Sequence, residues 1–196
     1  MLSSRNTRRP GWVAAGRFVP LLLAAVLALP LLRPAPVQAA SAAEIRRDAN
    51  AALTKLFAGT PKAKELADKA KGILVFPSVV KAGFLVGGLF GEGVLWKGGK
   101  AVAYYNTVAA SYGLQAGVQK YGYALFFMND AALQYLDKSD GWELGTGPSI
   151  VVLDQGAAGS LSTSTAREDV YAFIFNQEGL MAGLGLQGSK ITKIEK

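Results

Sequence analysis

The chain contains no cysteine and no histidine. The absence of cysteine excludes disulfide bonds and thiol nucleophiles, and it also excludes thiolate metal sites. The absence of histidine removes the commonest general base and the commonest metal ligand in proteins. Most hydrolase, redox and zinc-site classes are therefore excluded, and no cofactor or metal is expected.

Acidic residues are missing from the first 39 positions, where five arginines lie (Arg5, Arg8, Arg9, Arg17 and Arg33). Residues 40–196 hold 16 basic and 14 acidic residues, a net charge of +2, whereas the whole chain has +7. The basic character thus belongs mostly to the N-terminal segment. A nearly neutral domain lacks the charge that binds a phosphate backbone, so no nucleic-acid partner is predicted.

Residues 1–39 have the three parts of a secretory signal peptide, namely a basic start, an apolar run and a small-residue end. Val37 and Ala39 occupy the small-residue positions before a cut between Ala39 and Ala40. The alternative is an uncleaved anchor, but the run from Phe18 to Leu32 falls short of the roughly 20 residues that span a bilayer. We therefore predict a signal peptide over 1–39, a mature domain over 40–196 and a periplasmic or secreted location.

The same N-terminal segment also bears on lipid modification and on the choice of export route. The absence of cysteine at the cut excludes a lipid-modified lipoprotein. Thr7-Arg8-Arg9 is compatible with twin-arginine export, and the choice between this route and the general secretory route stays open.

The mature part begins with two expected helices. The apolar residues Ile45, Ala49, Leu53 and Leu56 recur at helical spacing, and Ser41 with Glu44 has the spacing of a capping box. A second helix is predicted from about Pro61 to Lys71, with Gly72 as its C-terminal stop.

From Gly72 onward the sequence is rich in glycine and in strand-forming residues. Strands are predicted over 73–76, ended by Pro77-Ser78, and then over 83–96, 101–108, 112–118, 123–128, 149–154, 170–176 and 179–193, the last one bent or bulged. Lys97-Gly98-Gly99-Lys100 is expected to form a tight turn. One further helix is expected near 129–138, capped by Asn129 or Asp130. Glycine inside strands indicates bulges, strong curling or close packing. The fold class is therefore α+β, with N-terminal amphipathic helices packed on a Gly-rich, strongly coiled antiparallel sheet or partial barrel.

No catalytic motif survives inspection. The run Gly87-Gly88-Leu89-Phe90-Gly91-Glu92-Gly93 lacks the Gly-Lys-Ser/Thr of a phosphate-binding loop and continues into a strand. The aspartates at 130, 137, 140 and 154 lack the alternating oxygen ligands of a calcium loop. We expect a protein that is not an enzyme.

Basic residues are concentrated at the start of the mature part, and they are the candidate lipid-binding residues: Arg46, Arg47, Lys55, Lys62, Lys64, Lys69, Lys71 and Lys81. An amphipathic helix with such flanks can lie in a lipid interface and attract anionic headgroups. The alternative is a helix that docks on the core and leaves its charges in water. The pattern alone favours the second.

Two segments at opposite ends of the domain resemble one known family. They are Lys69-Ala70-Lys71-Gly72-Ile73-Leu74-Val75-Phe76-Pro77 with the glycine-rich run to Leu95, and Asp169-Val170-Tyr171-Ala172-Phe173 leading to Gly179-Leu180-Met181-Ala182-Gly183. Both are similar to segments of the SYLF domain family, and the resemblance covers roughly residues 43–193.

The resemblance implies a phospholipid-binding module. Fungal and animal members bind phosphoinositides, fungal members also bind actin, and bacterial members are typically single domains behind an export signal. It also implies that lipid binding falls on the basic N-terminal region. The first hypothesis is therefore an exported protein that binds anionic phospholipid at a membrane surface. The alternative is an envelope scaffold that binds a protein partner. Whether a surface holds headgroups or a cavity holds an acyl chain stays open.

Overall fold

The computed structural model describes residues 39–138, 141–153, 167–179, 186 and 188–196. Within it Ala40–Lys196 forms one compact unit. Residues 1–38 of the predicted signal peptide lie outside the described residues, so the signal peptide stays a prediction.

Three helices and six strands form the described part of this unit, and the α+β class is confirmed. The strands curl into a half-barrel. The elements are α1 (Ala42–Gly59), α2 (Pro61–Ala67), β1 (Gly72–Lys97), β2 (Lys100–Phe127), α3 (Asp130–Lys138), β3 (Trp142–Glu143), β4 (Ile150–Leu153), β5 (Val170–Gly179) and β6 (Lys190–Ile194).

The predicted helix starts are confirmed. Ser41 caps α1 in a capping box, since its side chain accepts from the Glu44 amide while the Glu44 carboxylate accepts from the Ser41 amide at 2.8 Å. Asn129 caps α3 by accepting from the Ala132 amide at 2.8 Å. These side chains satisfy amides that have no partner inside the helix.

The second helix is shorter than predicted. It ends at Ala67 rather than Lys71, and the Lys71 amide donates to the Phe127 carbonyl at 2.8 Å. The chain has therefore already joined the sheet at Lys71, because a backbone amide that pairs with a strand cannot continue a helix.

The central element is a long antiparallel hairpin of β1 and β2. The prediction that Pro77-Ser78 ends a strand was wrong, because β1 continues to Lys97 with a register shift between Phe76 and Val79. A proline is tolerated in a strand at such an irregularity, where no ladder hydrogen bond is lost. Likewise β2 is continuous where three strands were predicted. The tight turn is confirmed at Gly98 and Gly99, whose φ values of 55° and 75° suit a two-residue hairpin turn.

The sheet has the order β3-β6-β2-β5-β4, with β1 paired to β2. The prediction of an antiparallel sheet was wrong for one pair, since β4 and β5 run parallel. Their connection spans residues 154–169, which is long enough for the crossover that parallel neighbours need. The predicted bent strand over 179–193 contains only the end of β5 and the start of β6, and 180–185 and 187 lie outside the described residues.

Successive residues of the strands point to two separate cores. The side that faces α1 and α2 is called the helix face, and the opposite, concave side is called the inner face. Val75, Ala124, Phe126 and Phe173 lie on the helix face, whereas Leu74, Phe76, Tyr123, Leu125, Phe127 and Ile174 lie on the inner face.

Glycine allows β1 to curl back on itself. A Cβ atom added at Gly93 would lie 2.5 Å from the Val75 carbonyl oxygen and 2.7 Å from the Phe76 ring. Only glycine leaves room for this approach between two parts of the same strand. The expectation that glycine serves curling and close packing is confirmed at this position.

Candidate functional site

The apolar side of α1 is buried on the helix face of the sheet, through Ile45, Ala49, Ala52, Leu53 and Leu56. This confirms the core-docking alternative of the sequence analysis. The helix cannot place the same side in a lipid interface without leaving the core. Any contact with a membrane must therefore use the outward side of the helices or the grooves beside them.

The outward side carries a net positive charge. Residues 42–71 contain seven basic and four acidic residues, a net charge of +3, which exceeds the +2 of residues 40–196 as a whole. Ion pairs join Arg47 to Asp48 at 2.9 Å, Lys62 to Glu65 at 3.1 Å, and Lys64 to Asp68. The Arg47 and Lys64 pairs are exposed and hence weak, so these two cations stay available to other anions.

Arg46 ties the first turns of α1 to the sheet. Its Nη1 donates to the Tyr104 hydroxyl of β2 at 3.1 Å. A guanidinium held by a neutral partner retains its charge and its other donors. Arg46 is therefore both a packing residue and an exposed cation.

A groove of about 440 Å³ lies between α1, α2 and the turn of the β1–β2 hairpin. Its apolar lining comes from Leu53, Phe57 and Trp96, together with Ile73 at the start of β1. Lys64 and Lys71 line the same groove, and both are exposed. Asp68 also lines it and pairs with Lys64. The groove thus offers apolar surface beside two ammonium groups, an arrangement suited to an anionic amphiphile.

A second groove of about 340 Å³ lies on the other flank of α1. Lys55 and Lys120 line it, but so do Asp48 and Glu178. Asn176, at its edge on β5, has a φ of 52° that few non-glycine residues adopt. With charges of both signs, this groove has less preference for an anion than the first.

The structure brings together only part of the predicted set. Lys64 and Lys71 share the first groove, and Lys55 lies in the second. The other predicted residues line neither of these grooves; they are Arg46, Arg47, Lys62, Lys69 and Lys81.

Sequence reasoning missed Trp96 and Lys120 as groove residues. Trp96 follows Val94 and Leu95 in an apolar run, where alternation alone would predict a core residue. Its place in the groove depends on how the helices pack on the sheet. Its indole Nε1 is buried and has no hydrogen-bond partner among the described residues.

No metal-binding cluster occurs in the described ranges. None of the helices there is both long enough and apolar enough to cross a membrane.

Residues 108–196 match a family model described as Ysc84, Las17-binding protein actin regulator. The match spans most of β2 and all later elements. This match covers 89 of the 196 residues and is consistent with a SYLF-family domain. No curated protein matches the chain.

The SYLF family is associated with lipid and actin-related binding, and it is a family of binding domains rather than a known enzyme family. The matched residues include most of β2 and the strands β3 to β6, but not α1, α2, β1 or the first groove's lysines. The family match therefore does not test the predicted lipid-binding residues.

Proposed function

We propose that the protein is exported and binds anionic phospholipid at a membrane surface through the basic side of its N-terminal helices. The observation that carries the proposal is the first groove, where exposed Lys64 and Lys71 adjoin apolar side chains. An anionic headgroup would pair with the lysines while part of an acyl chain covers Phe57 and Trp96. Each basic residue near a charged membrane contributes about 1 kcal/mol.

The net charge of +3 over residues 42–71 supports the same orientation. The remainder of the mature part is nearly neutral, so a charged surface would attract the molecule by its helical side. Because the apolar side of α1 is buried, the proposal is peripheral binding without insertion of that helix.

The test is co-sedimentation of residues 40–196 with neutral and anionic phospholipid vesicles at low and at physiological salt. We expect binding to anionic vesicles only, weakened by salt because screening shortens the reach of exposed charges. Changing both Lys64 and Lys71 to Glu should weaken binding by roughly 30-fold or more. The matched control changes Lys190 and Lys193 of β6 to Glu, which alters the net charge equally outside both grooves.

Equal losses in the two double variants would show that net charge, rather than the groove, drives binding. Absence of binding to either vesicle would overturn the proposal.

Tryptophan fluorescence separates a headgroup surface from an acyl-chain groove. The mature part has two tryptophans, Trp96 and Trp142, so Trp142→Phe leaves the groove residue as the reporter. Entry of an acyl chain would shift Trp96 emission to the blue. Binding that leaves this emission unchanged would indicate a surface that holds headgroups only.

A scaffold that binds a protein partner is the second candidate, favoured by an exposed apolar patch on the hairpin. Val86 and Phe90 of β1 are 61% and 51% exposed, and Val108, paired with Phe90, is 37% exposed. Contiguous apolar surface of this kind often marks an interaction site. Phe90→Ser would leave vesicle binding unchanged if the helical side binds lipid, and would abolish partner capture if the protein is a scaffold.

A further inference from the structure

The first residue after the predicted cut meets two charged side chains from distant parts of the chain. The Ala40 amide donates to Glu92 Oε2 at 3.1 Å, and Lys196 Nζ donates to the Ala40 carbonyl at 2.8 Å. Lys196 also donates to Glu92 Oε1 at 2.7 Å. Glu92 thus bridges the beginning of the described chain and its end.

This cluster is largely removed from water. The side chains of Glu92 and Lys196 are 12% and 10% exposed, far less than those of the ion pairs on α1. A charge interaction at such a site is weakened less by solvent and salt than one on the surface.

An unused acceptor lies beside the cluster. Asn106 of β2 is the direct cross-strand partner of Glu92, so the two side chains stand on the same face of the hairpin. Asn106 Oδ1 is buried and has no hydrogen-bond partner among the described residues. An unpartnered buried acceptor is costly, and a donor that reaches it would stabilise the fold.

We propose that Glu92, Asn106 and Lys196 form a binding site for the free α-ammonium group of a new N-terminus at Ala40. The inference rests on the proposed export of the protein, and it concerns what cleavage does to the domain. The Ala40 amide has one N–H, which already donates a hydrogen bond to Glu92. An ammonium group has three N–H donors and a positive charge, so it can retain Glu92 and also reach Asn106.

The covalent step is hydrolysis of the Ala39–Ala40 peptide bond by an endopeptidase that cuts after small residues. The C–N bond breaks, water supplies oxygen to the Ala39 carbonyl carbon, and Ala39 leaves as a carboxylate. The protons released go to the Ala40 nitrogen, which becomes an ammonium. Ala39 is exposed and Ala40 is partly buried, which places the scissile bond at the boundary of the fold.

The new charge converts a neutral hydrogen bond to Glu92 into a charge-assisted one, which is roughly twice as strong. It also gives one carboxylate two cationic partners, with one on each oxygen. Cleavage would therefore tighten the junction of the N-terminus, the hairpin and the C-terminal segment. A cut one residue away would move the charge out of reach.

The first part of the test identifies the natural N-terminus. The full chain is produced with its own leader, and the exported product is analysed by intact mass and N-terminal sequencing. A product that starts at Ala40 is expected. A product that starts elsewhere would overturn the proposal.

The second part measures the coupling between the ammonium and Glu92. Residues 40–196, which form a compact unit with both cores, are prepared with a free or an acetylated Ala40, each with Glu92 or Glu92→Gln. With Glu92, the free amine should lower the unfolding equilibrium constant roughly tenfold relative to the acetylated form. With Glu92→Gln this advantage should vanish.

The matched control is the same protein beginning at Ala39, which has an equal charge displaced by one residue. It should behave like the acetylated form. If acetylation has the same effect in the protein with Glu92 and in the Glu92→Gln variant, or no effect in either, the proposal fails.

Acylation of the native protein provides a readout that does not depend on the stability of a variant. The α-amine of Ala40 should react several-fold more slowly than that of the protein beginning at Ala39, because the cluster stabilises the protonated ammonium, which has no lone pair to attack the reagent. Equal rates would contradict the proposal.

A negative result for the Ala40 site can be distinguished from a negative result for lipid binding. Glu92 lines neither groove, so Glu92→Gln should bind anionic vesicles as the unmodified domain does. If the unmodified domain failed to bind vesicles, that result would contradict only the proposed lipid-binding role of the helices.

Discussion

The two faces of the sheet differ in where their polar groups lie. On the helix face, apolar side chains are covered by α1 and α2, and the charges of these helices stand in water. On the inner face, three tyrosines, Tyr105, Tyr121 and Tyr123, are at most 2% exposed and bring their hydroxyls into the core. The helix side therefore keeps charged groups exposed for the proposed lipid contact, whereas the inner face serves stability.

Burial shifts the pKa values of the three inner-face tyrosines upward. Burial raises the pKa of Tyr121 to about 12. Burial also raises the pKa of Tyr105, whose hydroxyl donates to Asp137 Oδ1 at 2.8 Å, and the pKa of Tyr123. In each case the neutral phenol is favoured because a phenolate would lose its hydration.

The largest expected effect comes from deleting one aromatic ring on each face at adjacent positions of β2. Phe126 packs on Phe57 and Phe173 of the helix face, with ring centroids 6.5 and 5.0 Å apart, whereas Phe127 packs on Trp142 of the inner face at 5.8 Å. Both rings are fully buried. Each change to alanine should cost about 3–5 kcal/mol in urea unfolding.

The faces are then distinguished by amide hydrogen exchange. Phe126→Ala should reduce protection in α1 and α2, and Phe127→Ala should reduce it in α3 and around Trp142. The same protection pattern in both variants would show that the two cores are not separable. Val102→Ala, at a position that is 51% exposed, is the control and should change stability little.

Alkaline pH should lower the free energy of unfolding through the tyrosines of the inner face. The pKa of Tyr121 rises from 10.0 in the unfolded chain to about 12 in the fold, so its contribution is fully present below pH 10 and is lost as the pH rises toward 12. The loss from this residue alone is at most about 3 kcal/mol. It is measured by urea unfolding between pH 9 and 12, alongside tyrosinate absorbance.

Tyr121→Phe should flatten this dependence. If the buried tyrosines ionised near their ordinary pKa while the fold stayed intact, the burial of their hydroxyls in the core would be contradicted.

Adding one methyl group to β1 tests how closely the strand packs on itself. Gly93→Ala would force the methyl against the Val75 carbonyl and the Phe76 ring, and it should cost about 1–3 kcal/mol. Gly88→Ala on the same strand is the matched control, because the nearest atom to its Cβ would be 3.8 Å away. Equal thermal unfolding of the two variants would contradict the close packing of the curl.

The smallest effect is expected from Tyr123→Phe. The hydroxyls of Tyr123 and Thr107 approach each other inside the core, but neither makes a hydrogen bond of good geometry among the described residues. Removal of a buried hydroxyl without a partner should change the free energy of unfolding by less than about 1 kcal/mol. A larger loss in urea unfolding would show that this hydroxyl has a partner. Tyr105→Phe, which removes the hydrogen bond to Asp137, should cost more.

Local signals were sufficient to predict several elements. The capping box at Ser41 and Glu44, the helical spacing of Ile45 and Ala49, and the Gly98-Gly99 turn all depend on residues within a few positions of one another, and each was confirmed. The resemblance of two segments to the SYLF family is supported for the second of them, which lies within the matched residues 108–196.

Features set by distant contacts were predicted poorly. Continuation of β1 through Pro77 depends on its pairing with β2, and the parallel pair of β4 and β5 depends on a crossover. The basic residues were recognised as a group, but the sequence could not show that Lys64 and Lys71 share a groove while others lie elsewhere.

The sequence by itself determined the local elements and the charge at the start of the mature part, because each depends on residue types at short spacing. Tertiary structure alone decided that Trp96 lines a groove and that Glu92 meets Ala40 and Lys196. These last contacts join residues 52 and 104 positions apart. Such pairs leave no periodic signal, because only the curl of the sheet brings them together.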